Sequence, residues 1–255
     1  MIFTHEYPIC EFDTEKRGII CAADHFENTL PEKCVLTFFR KQLTDFVQEQ
    51  NLPVIGYMHS EIVDLPIYGY EKDERQTALC MPFMWSAGAA GTVEELNAMG
   101  CRKFIICGGA GSLIPGAKVG EMMLPTSAVR DEGASYHYLP PSREVEAPGE
   151  MLAKVARALT EKGVPFTLGK TWTTDAFYRE TPDMIERRRR EGCRMVEMET
   201  AAFYAVAKFY GLEVAQLLYA GDDVSGATWD DRGWNKRDSI RMGLIELCLE
   251  LANEM

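Results

Sequence analysis

The feature of this sequence that most constrains its fold is the alternation, from about residue 34 onward, of short apolar runs with segments of helical periodicity. The apolar runs predict strands at residues 34–38, 62–68, 77–81, 104–107, 122–128, 166–171, 195–197 and 214–219. The helical patterns predict helices at residues 39–50, 89–99, 150–162, 183–191, 199–210 and 236–253. Strands that alternate with helices are typical of an α/β fold with a largely parallel or mixed sheet.

The length and composition favour one domain. The 255 residues suffice for one large α/β domain or two small ones, and a hydrophobic content of 46% can fill a substantial core. We expect a single domain over residues 1–255, because the Pro-rich stretch 139–148 is predicted to be a loop too short to link two domains. Residues 1–33 form an N-terminal extension without a predicted structure.

The charge of the chain points to a small-molecule ligand. Asp and Glu outnumber Lys and Arg by 39 to 27, and the net charge of −12 opposes attraction to nucleic-acid phosphates and to anionic lipid. The eight cysteines are scattered without zinc-site spacing, so we expect reduced core thiols and no bound metal. The N-terminus is acidic where a signal peptide is basic, and no apolar run is long enough to span a bilayer, which predicts a cytoplasmic protein.

Two carboxylates lie where a predicted strand ends and a predicted helix begins. Glu197 and Glu199 are two residues apart, so in an extended segment their side chains share a face and point into one cleft. Ionised carboxylates accept hydrogen bonds from the hydroxyls of a sugar diol, worth about 1.5–3 kcal/mol each when shielded from water. Their charge also stabilises the cationic sugar that develops when a glycosidic bond breaks. The alternative is an acidic helix N-terminus, in which Glu199 only complements the helix dipole.

A second acidic segment, residues 220–226, follows the predicted strand 214–219 directly. Ligands of open α/β sheets bind at the carboxyl ends of strands, where this predicted turn falls. Asp222 and Asp223 are adjacent, and two neighbouring acids in a desolvated pocket disfavour double ionisation, so one of them can serve as a general acid toward a leaving base. An Asx-turn between strand and loop explains the same residues equally well.

A glycine-rich segment, residues 108–111, follows the predicted strand 104–107. Gly108 and Gly109 would let a ligand approach the backbone closely. The segment has no P-loop lysine and does not lead into a helix whose dipole would hold an anion. A tight turn is therefore the favoured interpretation.

Four consecutive arginines occupy positions 187–190 within a helical pattern. Acidic residues precede and follow them, at positions 183, 186 and 191. We interpret the run as a solvated helix face with local ion pairs, in preference to an anion site or a nucleic-acid site.

Together these segments resemble one family. Residues 196–202, Val-Glu-Met-Glu-Thr-Ala-Ala, resemble the V-E-M-E-x-A signature of the purine nucleoside and uridine phosphorylase superfamily. Residues 174–178, Thr-Asp-Ala-Phe-Tyr, resemble its base-stacking segment, and residues 129–135 resemble a segment of its uridine phosphorylase branch. The glycines at 108–111 with Lys-Val-Gly-Glu at 118–121 resemble a passage shared by phosphorylases and nucleosidases.

The resemblance covers roughly residues 100–226 and implies a fold and an activity. The implied fold is a single α/β domain with a distorted mixed sheet that forms a partial barrel and is flanked by helices. The implied activity is cleavage of a nucleoside to a free base and ribose 1-phosphate, with phosphate as co-substrate and no other cofactor. The resemblance further implies a homo-oligomer, from a dimer to a hexamer.

The resemblance also assigns residues to the sugar. It implies that Glu199 holds the 2′ and 3′ hydroxyls of ribose, that Met198 packs on the sugar and that Glu197 lines the same pocket. By itself, Met198 indicates only a core residue. His5 corresponds to a histidine near the N-terminus of family members that reaches the 5′-hydroxyl in a neighbouring subunit, whereas a lone terminal histidine is otherwise expected to be solvated.

The base site follows from the same resemblance. Phe177 stacks on the base, and Tyr178 lies beside the sugar or base. Asp223 occupies the place of the acid that protonates a purine at N7. Spacing along the chain, and not the resemblance, makes Lys236 or Arg237 a candidate to keep Asp223 oriented. The uracil clamp of the uridine branch is replaced by Thr181 and Asp183, so a purine is preferred over uridine.

The sequence departs from the family at the phosphate site. The P-G-D-x-x-R loop after the first strand is missing, and Ile106 and Cys107 precede the glycines where an arginine is usual. Losing bidentate arginines removes several kcal/mol of phosphate binding, which leaves water as an alternative nucleophile and a nucleosidase as the alternative enzyme. Arg40, Lys41, Arg130 or a basic residue of a neighbouring subunit remain candidates to rebuild the phosphate site. A noncatalytic nucleoside-binding protein is the further alternative.

Overall fold

Twelve strands and six α-helices make up the fold of residues 1–255, all of which the computed structural model describes. The strands are β1 (Ile2–Phe3), β2 (Phe12–Asp13), β3 (Lys33–Thr37), β4 (Val54–Met58), β5 (Leu65–Lys72), β6 (Arg75–Cys80), β7 (Lys103–Ser112), β8 (Met122–Asp131), β9 (Glu144–Glu146), β10 (Thr167–Thr174), β11 (Cys193–Glu197) and β12 (Glu213–Asp223). The helices are α1 (Arg40–Gln50), α2 (Trp85–Ala98), α3 (Met151–Glu161), α4 (Pro182–Arg190), α5 (Thr200–Tyr210) and α6 (Asp238–Glu254).

Every predicted strand and helix overlaps an observed one, but several boundaries differ, and four short strands, β1, β2, β4 and β9, have no predicted counterpart. Strand β7 runs to Ser112 where the prediction ended at residue 107, and β12 runs to Asp223 where it ended at residue 219. Strand β9 lies inside the stretch 139–148 that was predicted to be a loop, and β4 was not predicted. These strands form because neighbouring strands supply hydrogen-bond partners, which local composition does not encode.

Nine strands form one continuous path of a mixed sheet, in the order β11-β10-β8-β12-β7-β3-β6-β5-β4, and β9 pairs with β8. A further antiparallel pairing between β11 and β7 closes five strands, β7, β12, β8, β10 and β11, into a ring. The remaining strands continue outward from β7 through a parallel pairing with β3. The predicted single α/β domain with a partial barrel is confirmed.

Helices cover both faces of the sheet. Helices α2 and α5 share one apolar core with β3, β6 and β7, while α3 and α6 contribute to a second core on the other face. Residues 200–207 of α5 are all buried, so this helix is enclosed on every side. Its large buried side chains, Phe203 and Tyr204, each contribute on the order of 2 kcal/mol through removal from water. None of the six helices has the length and apolarity needed to span a membrane.

The N-terminal extension folds against the same body. Strands β1 and β2 form a small hairpin, and Phe12 and Leu30 are buried. A short 3-10 helix at residues 8–10 packs near another at residues 134–137, which follows β8. All eight cysteines are free thiols; six are buried, and Cys10 and Cys21 are partly exposed.

The arginine run on α4 is only partly a solvated face. Arg188 is buried, and its guanidinium donates to Asp131 at 2.9 Å and to Glu191 at 3.2 Å while it lies over the ring of Trp172. The expectation of local ion pairs alone is therefore wrong for Arg188, because Asp131 comes from the end of β8. The other three arginines pair with Glu186 or Glu191 within the helix or just beyond it.

Candidate active site

The carboxyl ends of three parallel strands, β8, β10 and β11, meet at one edge of the ring. In register, Thr174 of β10 lies beside Asp131 of β8, and Thr173 lies beside Glu197 of β11. Residues that follow these strands therefore converge on one place. Glu197 ends β11 at this edge, and Glu199 follows it.

Glu197 is buried beneath this edge and caps a helix. Its carboxylate accepts hydrogen bonds from the Thr173 hydroxyl at 2.6 Å and from the backbone N–H groups of Glu199 at 2.8 Å and Thr200 at 2.7 Å. The expectation that Glu197 and Glu199 share one face is not met, because β11 ends at Glu197 and the backbone then turns into α5. The role of complementing the helix N-terminus thus belongs to Glu197, and Glu199 is left to face elsewhere.

Glu199 faces the first turn of α2. Its Oε1 accepts the backbone N–H of Trp85 at 2.9 Å, and no side chain of the protein donates to its Oε2. Burial and the nearby charge of Glu197 raise the pKa of Glu199 to about 8, against the lowering effect of the Trp85 N–H. The carboxyl group consequently carries a proton at neutral pH when no ligand is bound.

Trp85 reaches Glu199 through a strained backbone. Its φ is +62°, a left-handed value that is unfavourable for a bulky residue. Such conformations persist only where the surroundings hold them, and they concentrate at functional sites. The indole itself is about half exposed beside the edge.

Aromatic side chains stand at the rim. Phe177 begins a short 3-10 helix just beyond β10 and is 44% exposed, while Tyr178 is 88% exposed. Their ring centroids are 4.1 Å apart. Met198 is half-buried between the two glutamates. An exposed phenyl ring at a strand end offers a planar ligand a surface for stacking.

Asp223 ends β12 and is paired with an arginine that the sequence did not single out. It lies beside Ser112 of β7, which in turn lies beside Met195 of β11, so β7 separates Asp223 from β11. Arg232 forms an ion pair with Asp223 Oδ2, and the Ser225 N–H donates to Oδ1 at 2.8 Å. Burial raises the pKa of Asp223, but the Ser225 and Arg232 hydrogen bonds and the Arg232 charge bring it below its usual value.

The expected repulsion between Asp222 and Asp223 is absent. Both belong to a strand, in which consecutive side chains point to opposite faces. Asp222 accepts a hydrogen bond from the Trp229 indole at 2.7 Å. Glu180 is instead the acid affected by Asp222: burial, followed by the charge of Asp222, raises the pKa of Glu180 to about 7. The sequence offered no signal for Glu180 or Arg232, since both contacts depend on loop geometry.

The glycines form part of a strand, so the predicted tight turn is wrong. Gly108 and Gly109 lie within β7 and pair with Leu218 and Tyr219 of β12. A Cβ atom at Gly108 would lie 3.2 Å from the Phe38 ring, and one at Gly109 would lie 3.1 Å from the Tyr219 ring. Packing of neighbouring aromatic rings accounts for these glycines.

None of the basic candidates contacts Glu197, Glu199 or Asp223, and neither does His5. Arg130 is buried and donates to Ser135 Oγ at 2.9 Å, to Ser142 Oγ and the Pro140 carbonyl at 2.7 Å, and to the Leu139 carbonyl at 3.2 Å, so its guanidinium is used in folding. Arg40 is exposed at the start of α1, and Lys236 is exposed. Arg232, and not Lys236, contacts Asp223. His5 is exposed, and its Nδ1 accepts the Tyr7 N–H at 3.0 Å.

Comparison with known proteins gives matches over most of the chain. The family model of the phosphorylase superfamily matches residues 34–242. A DeoD-type purine nucleoside phosphorylase from Bacillus cytotoxicus is 29% identical over 160 residues, which are 62% of this chain and 67% of that protein. A similarly named protein from Bacillus cereus gives the same identity and coverage.

Solved structures share the fold. A uridine phosphorylase from Vibrio fischeri superimposes with a TM-score of 0.74 at 21% identity, covering 90% of this chain and 95% of that one. An AMP nucleosidase from Bacteroides thetaiotaomicron superimposes with a TM-score of 0.69 at 23% identity, covering 88% and 90%. The ring of strands and the flanking helices are therefore an architecture that both kinds of protein use.

Proposed function

Because the chain belongs to the phosphorylase superfamily, whose members cleave nucleosides, we propose that it cleaves the N-glycosidic bond of a purine ribonucleoside. The observation that carries this proposal is the arrangement of Glu199. One of its oxygens is held by the Trp85 N–H and no side chain donates to the other, while β11, which leads to Glu199, pairs with β10, which leads to the exposed Phe177 ring. A carboxyl group and a stacking surface at the same edge of the sheet suit a ligand with a sugar diol attached to a flat base.

In this proposal Glu199 binds the 2′ and 3′ hydroxyls of ribose, with Met198 against the sugar. Burial and the charge of Glu197 favour the neutral acid. Two sugar hydroxyls that donate to Oε2 favour the carboxylate, so ribose binding and loss of the Glu199 proton are coupled. The negative charge of the Glu199 carboxylate then stabilises the positive charge that develops on the sugar as the bond breaks.

Phe177 stacks on the base, and Asp223 protonates it as it leaves. Hydrogen bonds from Ser225 and the ion pair with Arg232 hold the pKa of Asp223 below its usual value, so the side chain is a carboxylate at neutral pH. To act as the acid, Asp223 first takes up a proton from solvent, which requires the Ser225 N–H and Arg232 to release its carboxylate so that burial raises its pKa. A purine is preferred because N7 offers a basic atom to this acid.

Phosphate is the first candidate for the nucleophile, because the matched Bacillus proteins are named phosphorylases. Water is the second candidate, and two observations favour it. The Arg130 guanidinium is engaged by four hydrogen bonds within the fold, and a buried Ile106 stands just before the glycines. We further propose that the working form is a homo-oligomer, in which a neighbouring subunit contributes His5.

One assay separates these possibilities. The protein is incubated with inosine, adenosine and uridine, with and without phosphate, and the base and sugar products are measured. Ribose 1-phosphate indicates phosphorolysis, and free ribose in both conditions indicates hydrolysis. Faster release of uracil than of purine would contradict the purine preference, and no free base from any nucleoside would leave only noncatalytic binding.

A further inference from the structure

Asp175 joins three elements at the edge that holds Glu199. It follows β10 directly, and its Oδ1 accepts the Ser86 hydroxyl of α2 at 2.5 Å. Its Oδ2 accepts the backbone N–H of Gly133, just beyond β8, at 2.9 Å. Asp175 therefore connects the ends of two parallel strands to the first turn of a helix.

The same helical turn contacts Glu199. Trp85, which donates its N–H to Glu199 Oε1, is the residue immediately before Ser86. Ser86 is buried and Trp85 has a left-handed φ, so this turn is held in an unfavourable conformation by its contacts. Side chains hold the start of α2 at three points: Glu199 accepts the Trp85 N–H, Thr92 accepts the Phe83 N–H, and Asp175 accepts the Ser86 hydroxyl. The last of these is the bond that connects the turn to the ends of β8 and β10.

We propose that Asp175 is a positioning residue: through Ser86 it holds the first turn of α2 so that the Trp85 N–H occupies Oε1 of Glu199 and leaves Oε2 for the sugar. The assignment of the sugar to Oε2 rests on the proposed function, whereas the tie between Asp175, Ser86 and Trp85 is independent of it. Small displacements of a binding group are costly, since a shift of about 1 Å can lower the rate by about 100-fold.

Charge and position have to be separated in the test. The groups that face Glu199 are Glu197 from β11, Asp175 beyond β10, and two backbone N–H groups, that of Trp85 from α2 and that of Met198. Among these, the charge of Asp175 favours the protonated form of Glu199, while the Trp85 N–H favours the ionised form. Replacing Asp175 changes its charge and its hydrogen bond with Ser86 at once. Ser86→Ala removes only the hydrogen bond and leaves the charge of Asp175 in place.

The kinetic experiment is a double-mutant cycle. Ser86→Ala and Asp175→Asn should each lower kcat/KM for the purine riboside by about 10- to 100-fold. In a Glu199→Gln background each substitution should lower kcat/KM by less than about twofold, because the carboxyl group that the turn positions is already altered. Asp131→Asn, at the end of β8 but tied to Arg188, is the matched control, and its effect should be the same in both backgrounds. Losses from Ser86→Ala that are equally large in both backgrounds would overturn the proposal.

A substrate-free measurement keeps the inference testable if no nucleoside is cleaved. In the wild-type protein the amide resonance of Trp85 should shift with pH as Glu199 titrates, and Glu199→Gln should abolish that shift. Ser86→Ala should also reduce it strongly. An unaltered Trp85 shift in Ser86→Ala would refute the tie, whereas a lost shift together with an inactive wild-type protein would refute only the proposed function.

Discussion

Raising the pH from 6 to 9 should destabilise the folded protein, and Glu199→Gln should remove much of that loss. Burial and the charge of Glu197 raise the pKa of Glu199 from 4.5 to about 8. A group whose pKa is higher in the folded state contributes stability at low pH, and this contribution is lost as the pH rises through the folded-state pKa. For Glu199 the loss begins above its unfolded value and is complete above about pH 9.

The magnitude follows from the two pKa values. At pH 6 the folded state still binds the Glu199 proton and the unfolded state does not. This difference stabilises the folded state by about 2–3 kcal/mol. At pH 9 neither state binds it, so the contribution is close to zero. Glu180, with a pKa raised to about 7, adds a loss in the same direction, but it is present in both proteins and cancels from their difference.

The assay is urea unfolding of both proteins at several pH values between 6 and 9. The difference in the free energy of unfolding between wild type and Glu199→Gln should change by about 2–3 kcal/mol across this range. The Glu199→Gln protein should become more stable relative to wild type as the pH rises. Glu246→Gln is the control, because Glu246 is exposed on α6 and forms no ion pair. Parallel pH profiles of wild type and Glu199→Gln would show that Glu199 is not held as a neutral acid.

Three further outcomes are expected. Asp223→Asn should slow purine release by about 10²- to 10⁴-fold in single-turnover experiments, the usual cost of losing a general acid, and unchanged turnover would remove Asp223 from the mechanism. Glu199→Ala should lose the preference for ribosides over 2′-deoxyribosides, and an unaltered ratio of kcat/KM values would contradict diol binding. Arg130→Met should lower the free energy of unfolding by on the order of 3 kcal/mol because it leaves buried acceptors unpaired, while Arg40→Met should change it little. If Arg130→Met instead keeps normal stability and its activity no longer depends on phosphate, Arg130 binds phosphate.

The order and type of the main elements could be predicted from the sequence, because alternating apolar runs and helical periodicity are local signals. The continuation of β7 through its glycines could not. Glycine is locally a turn residue, and only the rings of Phe38 and Tyr219 explain why Gly108 and Gly109 suit a strand. Likewise β9 lies in a Pro-rich stretch and forms because it pairs with β8.

The candidate site also has features that the sequence predicts and features that it does not. The segments that contain Glu199, Phe177 and Asp223 could be found from their position at strand ends and from the family resemblance. Their protonation could not, because it depends on contacts between distant residues. Arg232 keeps Asp223 ionised across a loop, and burial under α2 keeps Glu199 neutral, which together reverse the pattern that adjacent acids suggested.

The ring of five strands has a consequence for how the protein is made. Strand β12 is the last strand of the chain, yet it lies between β7 and β8, which are synthesised about a hundred residues earlier. Until β12 has left the ribosome, β7 and β8 have no partner between them and the ring cannot close. Pairings this distant in sequence form slowly. The nascent chain therefore lacks a complete site until β12 has been synthesised, and during that interval the facing edges of β7 and β8 are unpaired and open to aggregation.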